Sequence, residues 1–169
     1  MIAIIYIMGV SGSGKTTVGE KLSGATGIPF FDADDFHSVA NKNKMNAGHP
    51  LNDDDRKEWL QNINEKAREE AGKKGAIIAC SALKENYRNV LAGKIACPVY
   101  WVFLQGDYQL IHERINDRKG HFMPAELLRS QFEILEAPAN GLVIDISKKP
   151  DEIVKIILRQ LNLPTNKVS

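Results

Sequence analysis

Only two cysteines occur in the 169 residues, Cys80 and Cys97, and both stand inside apolar runs. A disulfide framework or a thiolate metal site needs more ligands close together, so two buried, reduced thiols are expected. None of the four histidines has metal-ligand spacing. An excess of one charge is also missing: 22 Lys and Arg face 21 Asp and Glu, a formal net charge of +1. Without a global field or a basic, aromatic-studded face, neither nucleic acid nor an anionic membrane is expected as a partner, and any anion must be held locally. No apolar run is long enough to span a bilayer. The run Ile2 to Met8 has no basic leader and continues directly into a glycine-rich loop, so it reads as a core strand, and a cytoplasmic location is expected. Internal repeats, low-complexity tracts and linkers are lacking. Residues 1–169, with an ordinary 43% hydrophobic share, are expected to form one domain.

What is present is concentrated in Gly9-Val10-Ser11-Gly12-Ser13-Gly14-Lys15-Thr16, followed by Thr17. The stretch lies between an apolar run and a segment of helical spacing, which is the strand, turn and helix context of a phosphate-binding loop. Glycines at 9, 12 and 14 permit positive φ, turning backbone N–H groups toward a triphosphate at the positive end of the next helix. Lys15 is expected to reach the β- and γ-phosphates and the Thr16 hydroxyl to ligate Mg²⁺. A turn that merely joined a strand to a helix would need neither three glycines nor a Lys-Thr pair.

Val18, Leu22 and Ala25 carry a first helix that Gly27 and Pro29 stop. A short strand over 28–31 ends in Asp32-Ala33-Asp34-Asp35, placing carboxylates at the rim where ligands bind in open α/β sheets. Residues 36–50 read as irregular or short helical structure. A longer helix follows, with Asn52 as N-cap, Asp53 to Asp55 at its positive end, and Trp59, Leu60, Ile63 and Ala67 on its buried face. Ala76 to Cys80 and Val99 to Leu104 are nearly continuous apolar runs, the mark of parallel strands covered on both faces, with a helix from about Leu83 to Leu91 between them. Asp107 opens a helix that puts Arg114 and Arg118 one turn apart. Residues 119–124 interrupt its register, and Leu127, Leu128, Phe132 and Leu135 resume it. A last strand over 142–146 precedes a helix starting near Pro150. The alternation predicts an α/β fold in which right-handed crossovers wrap both faces of a parallel sheet.

The loop implies nucleotide binding but not the fate of the γ-phosphate. GTPases and ATPase motors carry an apolar strand ending in Asp for Mg²⁺, whereas here the corresponding strand ends in Cys80-Ser81. Asp32 is the expected replacement beside Thr16. On an extended strand end, residues two apart point the same way, so Asp34 is expected alongside Asp32, placed to orient an acceptor hydroxyl or take its proton. Arg114 and Arg118 precede a Gly-containing break that reads as a lid hinge; closure would bring an arginine onto the transferring phosphoryl group and expel water. Arg56, Lys84, Arg88 and Lys119 are further basic candidates, of which Lys84 and Lys119 read first as solvated charges. His37, His49 and His121 are candidates to bind a polar substrate.

With these features stand Phe36-His37, Lys44-Met45, Gly48-His49-Pro50-Leu51-Asn52-Asp53-Asp54-Asp55-Arg56, Cys80-Ser81-Ala82-Leu83-Lys84 with Tyr87-Arg88, Arg118-Lys119-Gly120-His121-Phe122, and Gln131-Phe132-Glu133 with Leu135-Glu136 and Pro138. Together they resemble the gluconokinase family, P-loop small-molecule kinases related to the shikimate and nucleoside-monophosphate kinases. The resemblance implies a three-layer P-loop NTPase fold, with five parallel strands ordered 2-3-1-4-5, a substrate-binding segment at about 34–72 and a lid at about 118–127. It implies Mg²⁺- and ATP-dependent phosphorylation of D-gluconate at its 6-hydroxyl, feeding the pentose phosphate or Entner-Doudoroff pathway, and a homodimer. By the same resemblance Asp34 contacts the acceptor, Arg56 pairs with its carboxylate, Arg114 packs near the adenine and Arg118 closes on the phosphates. His37, Lys84, Arg88 and His121 join the substrate-binding set. The run Asp32-Ala33-Asp34-Asp35 departs from the single acidic pair expected there and leaves Asp35 without a role. The rival readings are a kinase for shikimate or a nucleoside monophosphate, and a nucleotide-dependent switch with little turnover. A shikimate kinase would be expected to carry a glycine triplet near Cys80-Ser81-Ala82.

Overall fold

β1 (Ile4–Met8) is buried along its whole length, as a strand with a neighbour on each side must be. In the computed structural model, which describes residues 1–118 and 123–166, it pairs in parallel with β3 (Ala76–Ala79), Ile5 opposite Ile77, and with β4 (Val99–Gln105), Ile5 opposite Tyr100. β2 (Phe30–Asp32) adds to the outer edge of β3 and β5 (Leu142–Asp145) to that of β4. The five-stranded order is β2-β3-β1-β4-β5, as the resemblance implied.

The chain leaves β1 through α1 (Lys15–Thr26) toward β2, then returns through α2 (Val39–Asn46) and α3 (Asp53–Ala71) to β3. It continues through α4 (Glu85–Ala92) to β4, through α5 (Tyr108–Asp117) and α6 (Ala125–Ile134) to β5, and ends in α7 (Pro150–Gln160). Because the first crossover runs in the opposite direction along the sheet from the rest, right-handedness puts α1 on one face and α3 and α4 on the other. Accordingly α1 packs on α7, and α3 on α4. The loops leaving β1 and β3 therefore diverge to opposite faces and open a crevice at the carboxyl ends of these neighbouring strands.

Local chemistry fixes the helices that frame the crevice. Asn52 caps α3 by a reciprocal box, Asp55 N–H to Asn52 Oδ1 at 2.8 Å and Asn52 N–H to Asp55 Oδ2 at 2.9 Å. Lys44 donates to the same Asp55 carboxylate at 2.6 Å and Asn41 Nδ2 to the Asp55 carbonyl at 2.7 Å, which ties α2 to the start of α3. The Lys44 bond is the main reason the Asp55 carboxyl titrates below its ordinary value. Trp59, on the buried face of α3, donates from Nε1 to Ala33 O at 2.7 Å and anchors the segment after β2.

Three expectations are corrected. The second strand lies at 30–32 and not 28–31, because Ile28 and Pro29 precede its pairing with β3. The residues that follow are not extended: Ala33–Phe36 form a 3₁₀ turn that Asp32 caps by accepting the Asp34 N–H at 3.0 Å. Of the thiols, Cys80 is buried but Cys97 only half-buried; both are free.

Candidate active site

The glycines of the loop adopt the left-handed or otherwise positive region expected of them, with φ of +146° at Gly9, +78° at Gly12 and +96° at Gly14. At Gly9 space matters as well, since a Cβ there would lie 2.8 Å from Ser13 Oγ and 2.9 Å from Leu104 O. Gly14 starts α1 without a side-chain cap, and the first turn of α1 carries no acidic residue. The orphan N–H groups and positive dipole end of α1 are thus left facing the crevice. Lys15 closes the loop on itself: Nζ donates to Gly9 O at 3.0 Å and Val10 O at 2.9 Å. Enclosure of the ammonium lowers its pKa, and the Asp34 carboxylate is the strongest of the charges opposing that shift.

Thr16 donates from Oγ1 to Asp32 Oδ2 at 3.0 Å, so the two residues expected at a metal are in contact. Hard oxygens of this kind suit Mg²⁺, which takes one or two protein oxygens and leaves its other positions to phosphate and water. Among the described residues no group of three or more His, Cys, Asp or Glu could hold a metal by itself. Asp34 does lie beside Asp32, but through the 3₁₀ turn rather than strand periodicity. It opens onto the crevice floor, where desolvation and then the Asp32 charge raise its carboxyl pKa, while Lys15 pulls it down.

Two cavities meet at this point. One, of about 660 Å³, is lined by the loop, Thr16, Thr17, Asp32 and Arg118. The other, of about 680 Å³, is walled by His37, Arg56, Trp59, Leu127 and Gln131. Ser11, Lys15 and Asp34 line both. In the second cavity His37 stacks on Trp59 with ring centroids 4.2 Å apart, and desolvation followed by the Arg56 charge pushes its pKa down to about 4. Arg56 is buried; its Nη1 donates to Leu51 O at 2.6 Å and to the Tyr87 hydroxyl at 3.2 Å, and Tyr87 in turn donates to Asp53.

Arg88, Lys84, Arg114 and His49 line neither cavity. Arg88 is buried with Nη1 on Ala82 O at 2.7 Å, supporting a residue held at φ +46°. Lys84 turns to Asp53 at 3.2 Å and lies over the Tyr87 ring, drawn to a carboxylate at the rim instead of into the cavity. Arg114 donates to Ile146 O at 2.5 Å and joins α5 to the chain leaving β5. His49 is exposed; Lys119 and His121 lie outside the described residues. Gln131 and Trp59 were not recognised from sequence as cavity walls. For Gln131 a signal existed, a polar residue four places after Leu127 on an otherwise apolar stripe.

Among the described residues no helix is long and apolar enough to cross a membrane. The family model described as shikimate kinase matches residues 11–162. A probable gluconokinase of Dictyostelium discoideum is 46% identical over 94% of this chain and 86% of its own length. A sugar kinase from Janibacter sp. HTCC2649, in an unliganded crystal structure, superposes with a TM-score of 0.89 at 40% identity, covering 96% of both chains. The crystal structure of a gluconokinase from Sinorhizobium meliloti 1021 does so with a TM-score of 0.86 at 40% identity, covering 95% of this chain and 91% of its own. A donor loop and an acceptor-sized cavity sharing one wall are what a small-molecule kinase requires, and with these likenesses running through nearly the whole length, the chain belongs to the gluconokinase family, within the kinases that the shikimate kinase model describes.

Proposed function

We propose that this chain transfers the γ-phosphoryl group of ATP to the 6-hydroxyl of D-gluconate, giving 6-phospho-D-gluconate and ADP. The observation that carries the reading is the wall of Ser11, Lys15 and Asp34 common to both cavities, because in-line transfer needs donor and acceptor to meet end to end. The acceptor is chosen by the gluconokinase relatives and by the polar groups, Asp34, His37 and Arg56, that line one part of the second cavity.

The uncapped start of α1 and the loop amides receive the phosphates, and Lys15 exchanges its two carbonyl partners for phosphate oxygens. Asp34, with its raised carboxyl pKa, orients the 6-hydroxyl and takes its proton as the new O–P bond forms and the bond from Pγ to the bridging oxygen of ADP breaks. Thr16 and Asp32 are the residues that would hold Mg²⁺, which supplies neutralisation of the phosphate oxygens. Among the described residues Arg56 Nε and Nη2 carry no hydrogen bond and are left for the substrate carboxylate, and neutral His37 adds a polar contact against Trp59. Arg118, at the end of α5, adds positive charge on the donor side. We assign the acceptor to the segment 34–72 and a lid to 118–127, and the reading includes a cytoplasmic homodimer.

The test is a coupled assay of ADP formation with gluconate, other sugar acids, shikimate and nucleoside monophosphates. Acceptor-dependent turnover with gluconate is expected. Slow ATP hydrolysis indifferent to all of them would identify a nucleotide switch instead.

A further inference from the structure

Gln131 stands in the last turn of α6 and makes two hydrogen bonds to a single residue, 120 positions away in the chain. Its Oε1 accepts the Ser11 N–H at 2.7 Å, and its Nε2 donates to Ser11 Oγ at 3.0 Å. This pairing fixes the carboxamide's orientation, because a flipped amide would set NH₂ against N–H. Ser11 is the third residue of the phosphate loop and belongs to the wall that the two cavities share. One of the N–H groups of an anion-binding loop is therefore committed to a side chain from another element.

The same helix is also part of the acceptor cavity. Leu127, one turn before Gln131, lines it, and the chain leaving α6 is fastened to another lining residue, Glu136 N–H to Leu83 O at 2.7 Å. Phe132 packs edge-on against Tyr108 of α5, with ring centroids 5.6 Å apart, a second contact that docks the helix. A wall of the acceptor cavity is thus bolted to the donor loop at one residue.

We propose that Gln131 is a positioning residue: by holding the Ser11 peptide it sets the donor loop relative to the acceptor wall, and so the alignment of the acceptor oxygen with the γ-phosphorus, without binding either substrate. The inference rests on the kinase reading above. Phosphoryl transfer depends on positioning, and a displacement of about 1 Å can cost on the order of 10²-fold.

Steady-state kinetics of the wild type, Gln131→Met, Ser11→Ala and the double variant test it, with ADP and phosphorylated gluconate measured separately. Gln131→Met is expected to lower kcat about 10–100-fold, to leave both KM values within about 3-fold, and to raise ADP formed per phosphorylated gluconate as misaligned phosphoryl groups pass to water. Ser11→Ala keeps the N–H bond and should lose less, and the double variant should be no worse than Gln131→Met. The ADP-to-product ratio does not depend on how much enzyme is folded, so it reads alignment even in a variant that folds poorly. An unchanged kcat and ratio would overturn the proposal; so would a rise in gluconate KM alone, which would make Gln131 an acceptor ligand, or fully additive losses. Absence of gluconate turnover in the wild type would overturn the kinase reading itself, and this proposal with it.

Discussion

Replacing Arg56 by Met separates its two duties, packing and carboxylate recognition. The guanidinium spends Nη1 on Leu51 O and the Tyr87 hydroxyl, which orients the fork and leaves Nε and Nη2 for a planar carboxylate. A charge-assisted hydrogen bond contributes about 1.5–3 kcal/mol, so a bidentate contact contributes about 3–6 kcal/mol, or roughly 10²–10⁴-fold in substrate KM. Met retains an unbranched apolar stem but strands the Leu51 carbonyl, a separate cost of about 1–3 kcal/mol that appears as a lower Tm. The assay compares D-gluconate with D-glucitol, a polyol of the same length without the carboxylate. Wild type should favour gluconate by that factor in kcat/KM, and Arg56→Met should treat the two alike with ATP KM unchanged. A variant that kept the preference, or that lost gluconate and ATP affinity equally, would refute the assignment of Arg56 to the carboxylate.

Lys15→Ala should abolish acceptor-dependent turnover while circular dichroism shows the fold intact, since among the described residues its ammonium bonds only the loop's own carbonyls. Asp34→Asn should lower kcat by about 10²–10⁴-fold. Because the folded Asp34 pKa lies above its ordinary 3.8, ionising it costs stability as pH rises through that window; the variant should melt higher than wild type at pH 7, and the gain should vanish below pH 3.8. His37, pushed from 6.5 to about 4, contributes stability above pH 6.5 that is lost as pH falls to 4. His37→Phe, which preserves the stack on Trp59, should flatten the Tm profile over that interval. Burial raises both thiols, Cys80 up to about 12, but only Cys97 is reachable from solvent, so a thiol-modifying reagent should label native protein at Cys97 alone, as read by peptide mass.

The sequence was legible where one segment carries its own explanation. β1 and β3 are apolar throughout because both faces are covered, and the phosphate loop is a local motif whose glycines and Lys-Thr pair declare their use. β2 was shifted because a three-residue edge strand with one partner has too little length for a period to register. The proximity of Asp32 and Asp34 was anticipated for the wrong reason, since a side-chain cap, and not pleat, brings them together. Long-range partnerships were illegible: Arg88 resembles any helix-face arginine until its carbonyl acceptor is known, and Lys84 until Asp53 is placed beside it. The chain also lacks the glycines expected of a shikimate kinase after β3, and Ala82 holds φ +46° there, a left-handed conformation that its sequence did not announce.

The start of α1 has neither a side-chain cap nor an acidic first turn. Most helices neutralise that end with a residue of their own; here an incoming polyphosphate completes it, which makes the nucleotide a structural member as well as a reactant. Thermodynamic linkage then ties the stability of the fold to the local nucleotide supply, with a resistance to unfolding that grows as RT ln(1 + [L]/Kd). An enzyme so built is most vulnerable to heat and proteolysis when it is idle.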